Sequence, residues 1–375
     1  MATSKIIRST LMHTGKISYW QMAVLFQVYM TGSALINIQG PMLAAAHNSA
    51  WFAMLLANLV GFVILFLVLT LHNEYPEQSY VNQVRLTLGN VMSYIIIIPL
   101  FLVMLYITAN IVYGMGQYFT TSMMRETPLF IFHLLILFTC SLTAKAGIEV
   151  MGRMFHLLMY ILLFIFIIML ILPYNTYEFT NLLPLAPLGF KPILHGVYVG
   201  FGFPYMDVLF FAMIIYLVKP KPGQSINKWL YIGLFINGIV LSLTILCSLL
   251  GLGPLVFLKK FPLHVLAQLI SIGEIVERVE AIFGIALILG TYMKISLLLF
   301  ILDQALSTLF KIKAAQFINI ITVVVFLLSL TMYKNEIELG ESGSFLQTPV
   351  TFIFGFLPLL LVVIVAKVKK KKKTA

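Results

Sequence analysis

Gly200-Phe201-Gly202-Phe203-Pro204-Tyr205-Met206-Asp207 lies inside an apolar run from about Pro192 to Val218. A bilayer crossing takes about 20 apolar residues, so the run is long enough to span. Two glycines and a proline within five residues weaken a helix at that point, because glycine adds backbone freedom and proline lacks an N–H. Asp207 follows directly behind the break. In hydrocarbon, the freed amides and carbonyls must find partners, so a broken membrane helix normally lines a cavity or binds something.

The rest of the chain has the composition of a membrane protein. It holds 375 residues, 61% hydrophobic and 10% charged, with mean hydropathy +1.02. A soluble domain needs far more polar surface, so a polytopic membrane protein is expected. At roughly 20 residues per span, the length accommodates about ten. They read as one membrane domain over 17–366, after a cytoplasmic N-terminus (1–16) and before a basic tail (367–375). The net charge of +11 owes much to Lys367 and Lys369 to Lys373. Lysines directly after an apolar run suit anionic lipid or plain solvation and give no reason to invoke nucleic acid. Cys140 and Cys247 fall in apolar runs without the spacing of a zinc site or a disulfide framework, and are expected to be buried. Ala44-Ala45-Ala46 mimics a leader cleavage site, but the apolar stretch from Ile17, interrupted by Gly32 and Pro41, is too long for one.

The spans are expected at about 17–46, 50–71, 91–119, 129–142, 153–172, 192–218, 229–252, 272–302, 314–332 and 349–365. Interfacial helices are expected within His72–Gly89 and over Leu263–Ile270, and a polar turn over Lys145–Arg153. With the N-terminus inside, the inner connections collect Lys5, Arg8, Lys16, Arg85, Lys145, Arg153, Lys219, Lys221, Lys228, Lys311, Lys313 and the lysine tail. The outer ones receive Arg125, Lys191, Lys259, Lys260 and Lys334. That asymmetry puts both termini in the cytoplasm, which requires an even number of spans.

Ten spans divide into two sets of five, over about 17–172 and 192–366, and the first span of each set is interrupted. Span 1 carries Gly32-Ser33-Ala34, Asn37 and Gly40-Pro41; span 6 carries the octapeptide. An odd number per set inverts the halves. Matching Gly/Pro-interrupted segments are the pointer to a transporter-type site at mid-membrane. Half-helix N-termini there suit a carboxylate, and freed carbonyls suit an ammonium group or a cation. The expected ligand set is Gly32, Ser33, Ala34 and Asn37 with Gly200, Phe201, Gly202, Phe203 and Pro204, and Tyr106 of span 3 lining the cavity beside Tyr113. Close helix packing is the competing explanation for the glycines.

Ionised groups inside a span are costly and usually face a bundle interior or water. Asp207 can bind a cation, relay a proton or cap the second half-helix. Glu277, Arg278 and Glu280 of span 8 are the other ion-coupling or gating candidates, with Glu274 placed to pair with Arg278 four residues on. Lys294 is expected to snorkel near the inner face. His133, His156 and His195 lack ligand spacing, Gly200-Phe201-Gly202 lacks the context of a dinucleotide loop, and no catalytic constellation is present. No metal, cofactor or enzymatic activity is expected.

An ordered set of short segments then resembles a known family. Ile17-Ser18-Tyr19-Trp20-Gln21 comes first, with Gly32 and Pro41. Tyr75-Pro76, Thr127-Pro128, Ala146-Gly147-Ile148-Glu149 with Arg153, and Asn181-Leu182-Leu183-Pro184 follow. Phe203-Pro204-Tyr205-Met206-Asp207 and Glu277-Arg278-Val279-Glu280 complete it. Together they resemble the B subunit of bacterial spore nutrient-germinant receptors, an endospore germination permease family within the amino acid–polyamine–cation transporter superfamily. That family often has glycine and glutamate where this chain has Met206 and Asp207. The resemblance implies an all-α, leucine-transporter-like fold with a 5+5 inverted repeat and broken helices 1 and 6. It also implies residence in the spore inner membrane, A and C partner subunits, and a small nutrient, often an amino acid, that triggers germination and ion release. A cation- or proton-coupled amino-acid permease is the alternative.

Overall fold

The computed structural model of the chain describes residues 15–186, 189–219, 225–269, 280–333 and 346–374. Among them the regular structure is helical, apart from one isolated bridge between Ile17 and Val218. Among the described residues, eight helices are long and apolar enough to cross a membrane: Gln39–Glu74, Asn90–Met123, Leu129–Ala146, Ile148–Thr176, Phe190–Phe211, Ile226–Leu258, Glu280–Phe310 and Gln347–Lys371. A shorter apolar helix, Ile318–Thr331, and an interrupted segment from Tyr19 accompany them.

That first segment opens with helix α1 (Tyr19–Thr31). The Ser18 hydroxyl accepts the Gln21 backbone N–H, and the Gln21 side chain accepts the Ser18 backbone N–H. This reciprocal pair satisfies two of the donors every helix start leaves open, which gives Ile17-Ser18-Tyr19-Trp20-Gln21 a physical purpose. The helix pauses at Gly32 and Ser33, resumes as α2 (Ala34–Asn37), turns at Ile38 and ends as α3 (Gln39–Ala46). Pro41 sits in the first turn of α3, where its missing N–H costs little.

Next come α4 (Ala50–Glu74), the short α5 (Tyr80–Leu88) and α6 (Asn90–Tyr118), then α7 (Leu129–Ala146) and α8 (Ile148–Ile171). α5 fills the polar connection where a helix was expected. α7 and α8 are longer than read from the sequence, and the Lys145–Arg153 turn reduces to Gly147. Its φ of 87° lies in the left-handed region that glycine enters without strain, so one residue suffices to reverse the chain. Glu149 and Arg153 therefore lie inside α8.

The sixth segment comprises α9 (Phe190–Gly200), a wide turn over Phe201–Tyr205, and α10 (Asp207–Phe211). Phe203 is fully extended at φ −150°, ψ 128°, so the break expected from the glycines and Pro204 is present. α11 (Ile226–Leu252), the short α12 (Pro262–Gln268), α13 (Glu280–Phe310) and α14 (Ile318–Thr331) follow. α15 (Gln347–Thr351) leads through another wide turn into α16 (Leu357–Thr374), which runs on through the lysine tail. There Lys370 pairs with Glu74 at 2.8 Å on the surface.

The two interrupted segments pack against each other in opposite directions. α9 lies on α3, with Gly196 against Ala46, while α10 lies on α1, with the Phe211 ring against Tyr29 and Phe26. Where α1 begins, Ile17 donates its N–H to Leu217 and accepts that of Lys219. Antiparallel pairing brings the two breaks to one level. α13 packs across them from the other side and is the most deeply buried of the long helices.

Candidate functional site

At the level of the breaks the chain buries two opposite charges. The Lys294 ammonium, midway along α13, donates to the Asp207 carboxylate at 2.6 Å, and neither side chain has any solvent exposure. Asp207 is the first residue of α10, yet its side chain makes no cap there. It is committed to Lys294 instead. The ammonium also lies over the Phe203 ring at 4.6 Å and the Tyr29 ring at 5.2 Å. Aromatic faces carry partial negative charge, so both rings stabilise the desolvated ammonium. One cation thus ties the break of the sixth segment, the end of α1 and the centre of α13 together.

Around this pair, several polar atoms are buried without a hydrogen-bond partner: Asp207 Oδ1, the Tyr29 hydroxyl, Ser33 Oγ and Thr291 Oγ1. Their placement follows from helix spacing. Residues three or four apart share a face, so Tyr29 and Ser33 share one side of the first segment, and Thr291 and Lys294 share one side of α13. Those sides touch: a Cβ on Gly290 would lie 2.5 Å from the Gly32 carbonyl oxygen, and one on Gly32 would strike the Gly290 carbonyl. Leaving a buried hydroxyl unpaired costs about 1–3 kcal/mol. Several at one junction mark a place that favours a polar guest.

The sequence-predicted residues divide in this light. Ser33, Phe203 and Asp207 meet at the junction. Gly32 is there too, but as a contact point between backbones, and Ala34 is buried beside it. Gly200 and Gly202 serve close packing: a Cβ on Gly200 would lie 2.6 Å from that of Ala57, and one on Gly202 would run into Thr348 of α15. The Asn37 side chain lies beside Gly114 of α6. Phe201 stacks edge-on against Phe352 and Phe356, and Pro204 is buried. The Tyr106 hydroxyl meets that of Tyr333 after α14 at 3.2 Å, and the Tyr113 ring packs on Tyr333 and His133. Glu280 opens α13; Glu274, Glu277 and Arg278 lie outside the described residues.

Lys294 corrects the expectation of a snorkelling side chain, since a group with no exposure cannot reach the interface. The rule that charges within a span pair with one another allows such a pair, because Asp207 is an acid in one apolar run and Lys294 a base in another, but it does not say which acid the lysine meets. Thr291 and Tyr29 carried no such signal. Cys140 is buried and Cys247 half-buried, both unpaired.

A family model described as spore germination protein matches residues 16–337. The chain belongs to the spore germination protein family. Three relatives in that family match nearly end to end. Spore germination protein KB of Bacillus subtilis (strain 168) is 29% identical over 96% of this chain and 97% of its own. Spore germination protein YndE of the same organism is 23% identical over 94% and 96%, and spore germination protein XB of Bacillus anthracis 22% over 96% and 100%. Among solved structures, the nucleobase-cation-symport-1 family transporter Mhp1, closed on bromovinylhydantoin, superposes with TM-score 0.68 at 13% identity, over 97% of this chain and 95% of Mhp1. MhsT in complex with L-phenylalanine gives 0.69 at 14%, over 95% and 89%. At such low identity these likenesses establish the fold alone, and that fold is leucine-transporter-like. This member of the family is thus an integral membrane protein on a leucine-transporter-like frame.

Proposed function

We propose that this transporter-like germination protein binds a small nutrient of the amino-acid class where its two interrupted segments cross, and that binding triggers germination. The observation that carries this is the fully desolvated Lys294–Asp207 pair, ringed by unpaired hydroxyls at the break. Packing alone gives no reason to bury so many polar atoms in one place. A carboxylate finds an ammonium and hydroxyl donors there, and an ammonium group finds Asp207 Oδ1. Ser33, Phe203 and Asp207 would touch the nutrient. Gly32, Gly200, Gly202 and Pro204 would set the backbone around it, and Ala34 would close one wall. Asn37, Phe201 and Tyr106 would act from the next layer out, and Glu277, Arg278 and Glu280 would serve in ion coupling or gating.

The same proposal takes the chain as the B subunit of a germinant receptor with A and C partners, in the spore inner membrane. It would have ten spans in two inverted sets, both termini in the cytoplasm, and the lysine tail on anionic lipid. Ligand binding would shift α10 against α13 and pass through the partners to ion release. Purified protein in lipid nanodiscs should show a saturable rise in melting temperature with one class among amino acids, nucleosides and sugars. The paired substitution Ser33→Ala and Thr291→Val should shift that titration to higher concentration. A flat response to every class would refute nutrient binding. Robust gradient-driven uptake by the protein alone in liposomes would favour the permease instead.

A further inference from the structure

An inorganic cation at mid-membrane takes several oxygen ligands and is held best where a free carboxylate balances its charge. The oxygens are present at the junction, in Ser33, Thr291, Tyr29 and Asp207. The charge is not, because the one carboxylate placed there among the described residues already holds an ammonium at 2.6 Å. That ammonium is fixed to the chain by α13 and flanked by the Phe203 and Tyr29 rings. A second cation among the same oxygens would meet a like charge in a medium that screens poorly.

We propose that Lys294 is a tethered cation standing where a coupling ion would sit, so that this centre works without sodium or any other inorganic cation. Lys294 holds α10 against α13 through Asp207, as a bound ion would, but it cannot dissociate from the chain and so cannot couple to a gradient of metal cations. The inference goes beyond nutrient binding, and its test contains no nutrient, so either can fail without the other.

The protein is purified in nanodiscs as wild type, as Lys294→Ala, and as the double variant Asp207→Asn with Lys294→Ala. Melting is followed while NaCl is exchanged for KCl or choline chloride at constant ionic strength, and during titration with n-propylammonium chloride, the fragment that Lys294→Ala removes. Wild type should melt at one temperature in all three salts. Lys294→Ala should melt several degrees lower and recover at least half of that loss, saturably, with propylammonium or sodium. The double variant should respond to neither. A merely structural lysine predicts the same loss but no recovery by a free cation. A saturable sodium-dependent rise in wild type would overturn the proposal, as would a folded Lys294→Ala protein indifferent to both cations. If that variant does not accumulate, the wild-type salt series decides: flat supports the tethered cation, and a saturable rise refutes it.

Discussion

Replacing Lys294 with Met keeps the length and apolar character of the stem and removes only the charge. Asp207, fully buried and 2.6 Å from the lost ammonium, would then be a desolvated carboxylate with no counter-charge. Breaking a buried pair by removing one partner costs about 3–5 kcal/mol. The lost contacts with the Tyr29 and Phe203 rings fall within that figure and are not additional. Asp207→Asn with Lys294 retained should cost a similar amount, because the ammonium is then the stranded charge. The double change, Asp207→Asn with Lys294→Met, should be far milder than the sum of the two. Replacing a buried ion pair outright is often neutral or stabilising by about 1–4 kcal/mol, because no ion remains to be desolvated. In a thermal melt, each single variant should fall by roughly 6–20 °C and the double variant by no more than about 3 °C, at roughly 2–4 °C per kcal/mol. The assay is fluorescence-detected melting of detergent-purified protein, with all four proteins prepared side by side. A double variant as unstable as the sum of the singles would show that the two residues do not interact. An unchanged Lys294→Met would show that Asp207 reaches water or another partner.

Other positions give independent checks. Gly32→Ala pushes a methyl into the Gly290 carbonyl, which has no flexible side chain to yield, so it should cost about 1–3 kcal/mol by overpacking, read as a lower melting temperature. Asp303 accepts the Ala315 N–H at 2.6 Å and the Phe317 N–H at 3.0 Å. Asp303→Ala should therefore speed hydrogen exchange over 311–317 while leaving α1 protected, and cost about 1–3 kcal/mol for the stranded amides. His264 on α12 lies 3.0 Å from the Tyr118 hydroxyl, and burial pulls its pKa below the ordinary 6.5, with Glu280 opposing. The docked state thus favours neutral imidazole, so docking of α12 should weaken as pH falls below about 6.5. Faster exchange of the α12 amides at acid pH, abolished in His264→Asn, is the expected outcome.

Much of the frame is legible in the chain itself. Apolar runs of bilayer length, separated by polar connections, place most of the helices, and the Gly/Pro breaks identify the two unusual ones. Helix ends are less legible, because a single glycine such as Gly147 reverses the chain by its backbone alone, and the charged residues around it look like a turn. The site is only half legible. Ser33, Phe203 and Asp207 stand at the breaks and can be named from them. Lys294 is 87 positions from Asp207, and nothing along the chain fixes how α13 is rotated, so its depth and partner emerge only when the helices pack. Tyr106 shows the converse: its place on α6 suits a cavity wall, but the rotation of that helix points its hydroxyl to Tyr333. Glycine is ambiguous in the same way, since open backbone and close packing use one residue type, and here Gly200 and Gly202 pack.

The central claim is that the junction of the two interrupted segments receives the nutrient. An experimental structure of the protein with the most stabilising nutrient tests it most directly. The predicted result is ligand density between Ser33, Phe203 and Thr291, with its polar atoms on Lys294 Nζ or Asp207 Oδ1. Density elsewhere, with the Lys294–Asp207 pair and its surrounding hydroxyls untouched, would contradict the claim.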